Sequence, residues 1–122
     1  MKILAIDTST SIFSLCLKIN DHEEIIEYEA VVTHSKIILQ EIKSILKKCG
    51  LAVSDLDAIA FSSGPGSFTG IRIASGVAYG LAFPHKIPIV PVNSLEVIAS
   101  MANSKYIMST IDARMDQIYL QI

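Results

Sequence analysis

No apolar run in this sequence reaches the roughly 20 residues that a membrane-spanning helix needs, and the start lacks the basic stretch and small-residue cleavage site of a secretory signal. The expectation is a cytoplasmic protein with no membrane partner. Cysteine is scarce. Cys16 and Cys49 form neither a close pair nor a metal-binding spacing, which argues against a disulfide scaffold or a zinc module. Tryptophan is absent, and lysine and arginine do not cluster. With a formal net charge of −2, the chain carries no electrostatic footprint for binding nucleic acid by itself.

What is present is apolar and glycine-punctuated. Hydrophobic residues make up 51% and charged residues 18% of 122 positions, enough for one well-filled domain or for apolar surface kept for a partner. The central stretch is Phe61 to Phe83. A buried strand runs into Ser62-Ser63-Gly64-Pro65-Gly66-Ser67-Phe68-Thr69-Gly70, and a helix rich in small residues follows. Gly64 and Gly66 allow backbone angles that a Cβ forbids, and Pro65 stiffens the turn between them. Ser67 or Thr69 can cap the helix, whose free N–H groups and dipole favour an anion. One reading is a phosphate loop; the other is a tight strand-to-helix turn with close packing. The glycine spacing is one residue too long for the dinucleotide fingerprint, and no lysine follows Gly70 as a Walker A loop requires.

Alternation predicts strands over Lys2–Ile6, Ile12–Ile19 and Glu24–Val32, joined by turns at Asp7–Ser11 and Asn20–His22. Such short links force an antiparallel meander. A helix over Thr33–Cys49 closes at Gly50. A strand at Asp57–Ser62, a helix from Phe68 stopped by Pro84, a strand at Ile87–Val92 and a short helix capped by Ser94 follow. Strands that alternate with helices pair in parallel, so the fold class is α/β, a mixed five-stranded sheet flanked by helices. This order matches the actin-like (ribonuclease-H-like) lobe, in which the first hairpin turn and the loop after the fourth strand flank a phosphate. Tyr106–Ile111 and Gln117–Ile122 predict a further hairpin around Asp112–Asp116. The expected division is a lobe over 1–103 and the start of a truncated second lobe over 104–122.

Catalytic groups do not assemble on this pattern. A two-metal nuclease needs converging carboxylates; Asp7 supplies one, but the fourth strand ends in Ser62-Ser63. Asp7 suits either a water-bridged Mg²⁺ or a turn cap. His34 opens the first helix, and the i+4 position of a helical metal pair holds Ile38. Ser67 lies outside any nucleophile-elbow sequence. The expectation is no catalytic and no metal-binding residue. On the first helix, Ile38, Leu39, Ile42, Ile45, Leu46 and Cys49 form the expected core stripe. Ile37 lies opposite them. On the second helix, Ile73, Val77 and Leu81 form the expected core stripe, while Arg72, Gly76, Tyr79 and Phe83 share another face. That face suits either a helix-on-helix contact with another chain or burial under a second lobe or the neighbouring helix.

Taken together, Ile6-Asp7-Thr8-Ser9, His34-Ser35, Ser63-Gly64-Pro65-Gly66-Ser67-Phe68-Thr69-Gly70-Ile71-Arg72-Ile73, Val92-Asn93-Ser94-Leu95-Glu96 and Asp112-Ala113-Arg114 resemble the bacterial TsaB (YeaZ) family. That family is sometimes grouped with glycoprotease-type M22 peptidases. The resemblance implies a role in making threonylcarbamoyl-adenosine beside the anticodon of tRNAs that read ANN codons. It implies a catalytically silent protein beside the paralogue TsaD, whose metal-binding histidine pair corresponds here to His34 and Ile38. Implied partners are TsaD, through first-lobe helices, and the ATPase TsaE, with a homodimer when alone; tRNA is met only through the complex. The implied interface includes His34, Ile37, Glu41, Arg72, Gly76, Tyr79 and Phe83. A vestigial phosphate site would use Asp7, Thr8, Ser9, Gly64, Gly66 and Ser67. The chain lacks the second wall of an interlobe cleft, so at most weak Mg-ATP or Mg-ADP binding is expected. The competing reading is an actin-like ATPase or phosphotransferase.

Overall fold

The structure, a computed structural model, describes residues 1–122. Its elements are β1 (Lys2–Asp7), β2 (Ile12–Ile19), β3 (His22–Glu29), α1 (His34–Lys48), β4 (Ala58–Gly64), α2 (Phe68–Ala82), β5 (Ile89–Asn93), α3 (Ser94–Ser100), β6 (Ser109–Arg114) and β7 (Gln117–Gln121). Short 3-10 turns occupy Val53–Asp55 and Phe83–His85. The main sheet has strand order β3-β2-β1-β4-β5. The first three strands are antiparallel, and β4 and β5 run parallel to β1. This is the expected mixed α/β sheet of an actin-like lobe. β6 and β7 form a separate two-stranded sheet against which α3 packs.

Register puts one set of side chains on one face. Leu4 lies opposite Leu17 and Ile59, and Ile6 opposite Leu15 and Phe61. These residues, with Phe13, pack against Ile38, Ile42, Ile45 and Leu46 of α1 and Ala74, Ala78 and Ala82 of α2. Leu4, Phe13, Leu15, Leu17 and Ile59 are fully enclosed, and truncating any one to alanine costs about 2–5 kcal/mol.

Two stripes differ from the sequence pattern. The buried stripe of α2 is Gly70, Ala74, Ala78 and Ala82, with Ile73, Val77 and Leu81 only partly buried beside it. Small residues at every fourth position let α2 approach the sheet closely, and the larger side chains fill the flank. On α1, Leu39 is 59% exposed. It sits past the edge of the stripe, where the sheet no longer covers the helix.

Helix ends follow local chemistry. Gly50 adopts φ +66. Its N–H donates to the Lys47 carbonyl, and the Leu51 N–H to the Leu46 carbonyl, the paired bonds that close a helix on a left-handed residue. Lys47 and Lys48 lie in the last turn, where the dipole favours cations. Asn93, not Ser94, caps α3: its side chain accepts from the Leu95 N–H at 2.8 Å. The other flank of α1 faces β3. Lys48 pairs with Glu24 at 2.6 Å, and the Tyr28 hydroxyl donates to Glu41 at 2.9 Å. Hydrogen bonds from Lys48 and then His22 hold the Glu24 carboxyl below its ordinary pKa. Burial, then the Glu41 acceptor, pushes the Tyr28 phenol up. No helix is long and apolar enough to cross a membrane.

Candidate functional site

The C-terminal ends of β1 and β4 lead into two turns that lock together. In the first, Asp7 Oδ1 accepts from the Ser9 N–H at 2.8 Å and the Ser9 hydroxyl at 2.6 Å. In the second, the Ser67 N–H donates to the Ser9 carbonyl at 2.7 Å. The Thr8 hydroxyl, fully buried, donates to the Gly70 carbonyl at 2.6 Å. This contact fixes the glycines. A Cβ on Gly70 would fall on the Thr8 carbonyl oxygen, and one on Gly66 would stand 2.8 Å from the Ser9 carbonyl oxygen. Gly64 has φ +98, a conformation costly for other residues. The Gly64–Pro65 peptide is cis.

Ser67 is the α2 cap, its hydroxyl accepting from the Gly70 N–H at 3.2 Å. The Ile71 N–H is bound by the Ser67 carbonyl. Several donors of the loop are therefore spent within the protein. Asp7, Thr8, Ser9, Gly66, Ser67 and Gly70 all take part in contacts within or between the two turns.

Above these turns lies a cleft of about 820 Å³. Asp7, Ser9, Gly66 and Ser67 form one side. The hairpin contributes Asp112, Arg114 and Tyr119, α3 contributes Val97 and Ile98, and His34 lies at the α1 end. His34 Nε2 donates to the Thr10 carbonyl at 2.8 Å, and the ring lies 5.9 Å from that of Phe13. Its Nδ1 is buried and unpaired. A second buried pair, the Ser62 and Ser94 hydroxyls at 2.8 Å, ties β4 to α3. Thr8 and the glycine at 64 support the cleft without lining it.

The expected interface residues divide into two groups. Arg72, Gly76, Tyr79 and Phe83 all lie exposed on the outer side of α2, Tyr79 at 57% and Phe83 at 86%. Within residues 1–122 no neighbouring helix covers that face. Arg72 stacks over Phe68, 4.0 Å from the ring centroid. Glu41 is turned toward Tyr28, and His34 toward the cleft, so neither joins the α2 surface. Ile37 is half-buried against the core rather than free on the opposite side.

Sequence reasoning did not pick out Asp112 and Arg114 as cleft residues, nor the Ser62–Ser94 pair. The Asp112-Ala113-Arg114 string was visible, but only the docking of the hairpin against α3 brings it opposite Ser67. His, Cys, Asp and Glu side chains gather in no group of three suited to a metal.

Comparison with known proteins gives a consistent result. A family model described as "TsaD: tRNA N6-adenosine threonylcarbamoyltransferase" matches residues 23–121. The tRNA threonylcarbamoyladenosine biosynthesis protein TsaB of Haemophilus influenzae is 40% identical over 123 residues, covering 98% of this chain and 52% of that protein. The protein of the same name from Escherichia coli is 39% identical, with 98% and 53% covered. The solved structure of YeaZ from Pseudomonas aeruginosa superposes with a TM-score of 0.88 at 37% identity, covering 98% of this chain and 58% of that one. The chain thus spans about half the length of the curated relatives it matches. With the glycine loop, the Asp7 turn and the mixed sheet all in their expected places, the chain belongs to the TsaB (YeaZ) family.

Proposed function

We propose that the chain acts in threonylcarbamoylation of the adenosine next to the anticodon of tRNAs that read ANN codons, as a non-catalytic scaffold and activator of the paralogue TsaD. The observation that carries this reading is the uncovered outer face of α2. Tyr79 and Phe83 stand exposed there beside Gly76 and Gly80, at which an added Cβ would meet nothing within 4 Å. A glycine inside a helix costs about 0.5–1 kcal/mol relative to alanine. Neither glycine is required by packing within this chain. Small residues four apart let a second helix approach closely, and exposed aromatics beside an arginine are what an interface core uses.

The absence of catalysis is supported by position. Where the paralogue's second metal histidine is implied, Ile38 is 1% exposed and belongs to the apolar core. The carboxylates lining the cleft are Asp7 and Asp112, and Asp7 is already engaged by Ser9. In this reading TsaE joins the complex, tRNA is met only through it, and the chain alone forms a homodimer. The β6–β7 hairpin is the beginning of a second lobe, and the protein works in the cytoplasm. Nucleotide binds at most weakly, because the loop donors at Ser67, Gly70 and Ile71 are already bonded. A micromolar affinity for Mg-ATP would favour the phosphotransferase reading instead.

The direct test is Arg72→Glu. Its stacking on Phe68 contributes about 0.5–1 kcal/mol at an exposed site, so thermal stability should fall little. Binding to TsaD, followed by calorimetry, should weaken markedly. Equal binding by mutant and wild type would remove the α2 face from the interface.

A further inference from the structure

β3 and β5 bound the main sheet, and β6 and β7 bound the small one. All of these edges except β7 are guarded. β3 carries Glu23, Glu24, Glu27 and Glu29, which would meet like charges if two copies paired there. β5 carries Pro91, which has no N–H to give a neighbouring strand. β6 carries Asp112 and Arg114, with a bulge between them, another device against edge pairing. β7 has none of these. Its sequence, Gln117-Ile118-Tyr119-Leu120-Gln121, holds no charge, proline or glycine, the composition of a strand that readily adds another. Ile118 is 62% exposed, and Tyr119 and Leu120 are each 48% exposed. The small sheet ends at β7, so the backbone groups on its outer side have no strand beside them.

We propose that β7 pairs antiparallel with β7 of a second copy, about a two-fold axis at Tyr119. The strand reads the same in both directions: polar, aliphatic, aromatic, aliphatic, polar. In that register Gln117 faces Gln121 of the second copy, Ile118 faces Leu120, and Tyr119 faces its own counterpart. Just beyond, Asp116 faces Ile122, so no like charges are opposed. Side chains alternate along a strand, so Ile118 and Leu120 of both copies gather on one face. Two hairpins become one four-stranded sheet, past the size at which a sheet gains stability of its own. A two-fold contact closes on itself, and assembly stops at two copies. The inference rests on the homodimer reading above and adds the surface that carries it. Arg72, Gly76, Tyr79 and Phe83 take no part. A single strand pair is a small interface, so the dimer dissociates on dilution.

The test is sedimentation equilibrium of the whole chain from about 5 μM to about 500 μM, the range of weak association. Wild type should move from the mass of one chain to that of two. Ile118→Lys/Leu120→Lys sets lysine against lysine in this register and should stay monomeric, as should Ile118→Glu/Leu120→Glu. An equimolar mixture of the two variants sets lysine against glutamate. It should regain the dimer, with an affinity about tenfold or more above that of either variant alone. That recovery also shows that both variants are folded. Tyr79→Glu/Phe83→Glu, on the outer face of α2, should dimerise as wild type does. If the β7 variants dimerise as wild type does, the edge inference fails while the homodimer reading stands. If wild type stays monomeric throughout, the homodimer reading itself fails. Monomeric variants whose mixture stays monomeric contradict the register and overturn the proposal. Growth of wild type beyond two chains overturns it too, because a two-fold strand pair cannot extend.

Discussion

At the scale of single residues, contacts between the two turns account for the glycines of the loop. Gly70 has no room for a side chain, because the Thr8 carbonyl occupies that space and the Thr8 hydroxyl bonds the Gly70 carbonyl. Gly70→Ala should therefore destabilise the fold by about 3 kcal/mol or more, through a clash with backbone that cannot yield cheaply. The midpoint of urea unfolding reads this directly; a shift of only a few tenths would mean that the two turns are loosely joined. The sequence made Gly64 and Gly66 legible as turn residues, because a Pro between two glycines has few other uses. It could not show why Gly70 is glycine. That reason lies 62 positions away, at Thr8, and contact across such a separation leaves no local pattern. Ser67 as the cap was legible down to one of two candidates, and the bond from Gly70 N–H selects it.

At the scale of elements, strand order and direction were readable because linker length dictates them. Short turns forced the meander, and intervening helices forced the parallel pairs. Helix faces were read less well. The α2 wheel assigned the core to the bulky Ile73, Val77 and Leu81, whereas the sheet selects the small Gly70, Ala74, Ala78 and Ala82. Periodicity locates a stripe but not its distance from the neighbour, and a helix lying close to a sheet inverts the usual preference for size. The same helix gives a sharp prediction. Gly76→Ala and Gly80→Ala each add a methyl group to open space, so each should stabilise the isolated chain by about 0.5–1 kcal/mol, read as a rise in Tm. The same changes should weaken binding to TsaD if these glycines exist for close helix approach. Stabilisation with unaltered binding would show that the partner does not pack there.

At the scale of the whole molecule, the cleft and the helical layer lie on different parts of the fold and suggest different roles. The cleft joins the Asp7 turn, the glycine loop and the hairpin, and Asp7 and Ser9 in its wall bond one another. The helical layer leaves Leu39, Tyr79 and Phe83 uncovered. Exposing such groups in water is unfavourable, and association would relieve it. The position of the hairpin over Ser67 could not be read from sequence alone, since it depends on how distant segments meet. Light-scattering chromatography of this chain, with and without TsaD from the same organism, tests the central claim most directly. A one-to-one complex whose mass equals the sum of the two chains is expected; a chain that elutes unchanged beside TsaD would overturn the scaffold role.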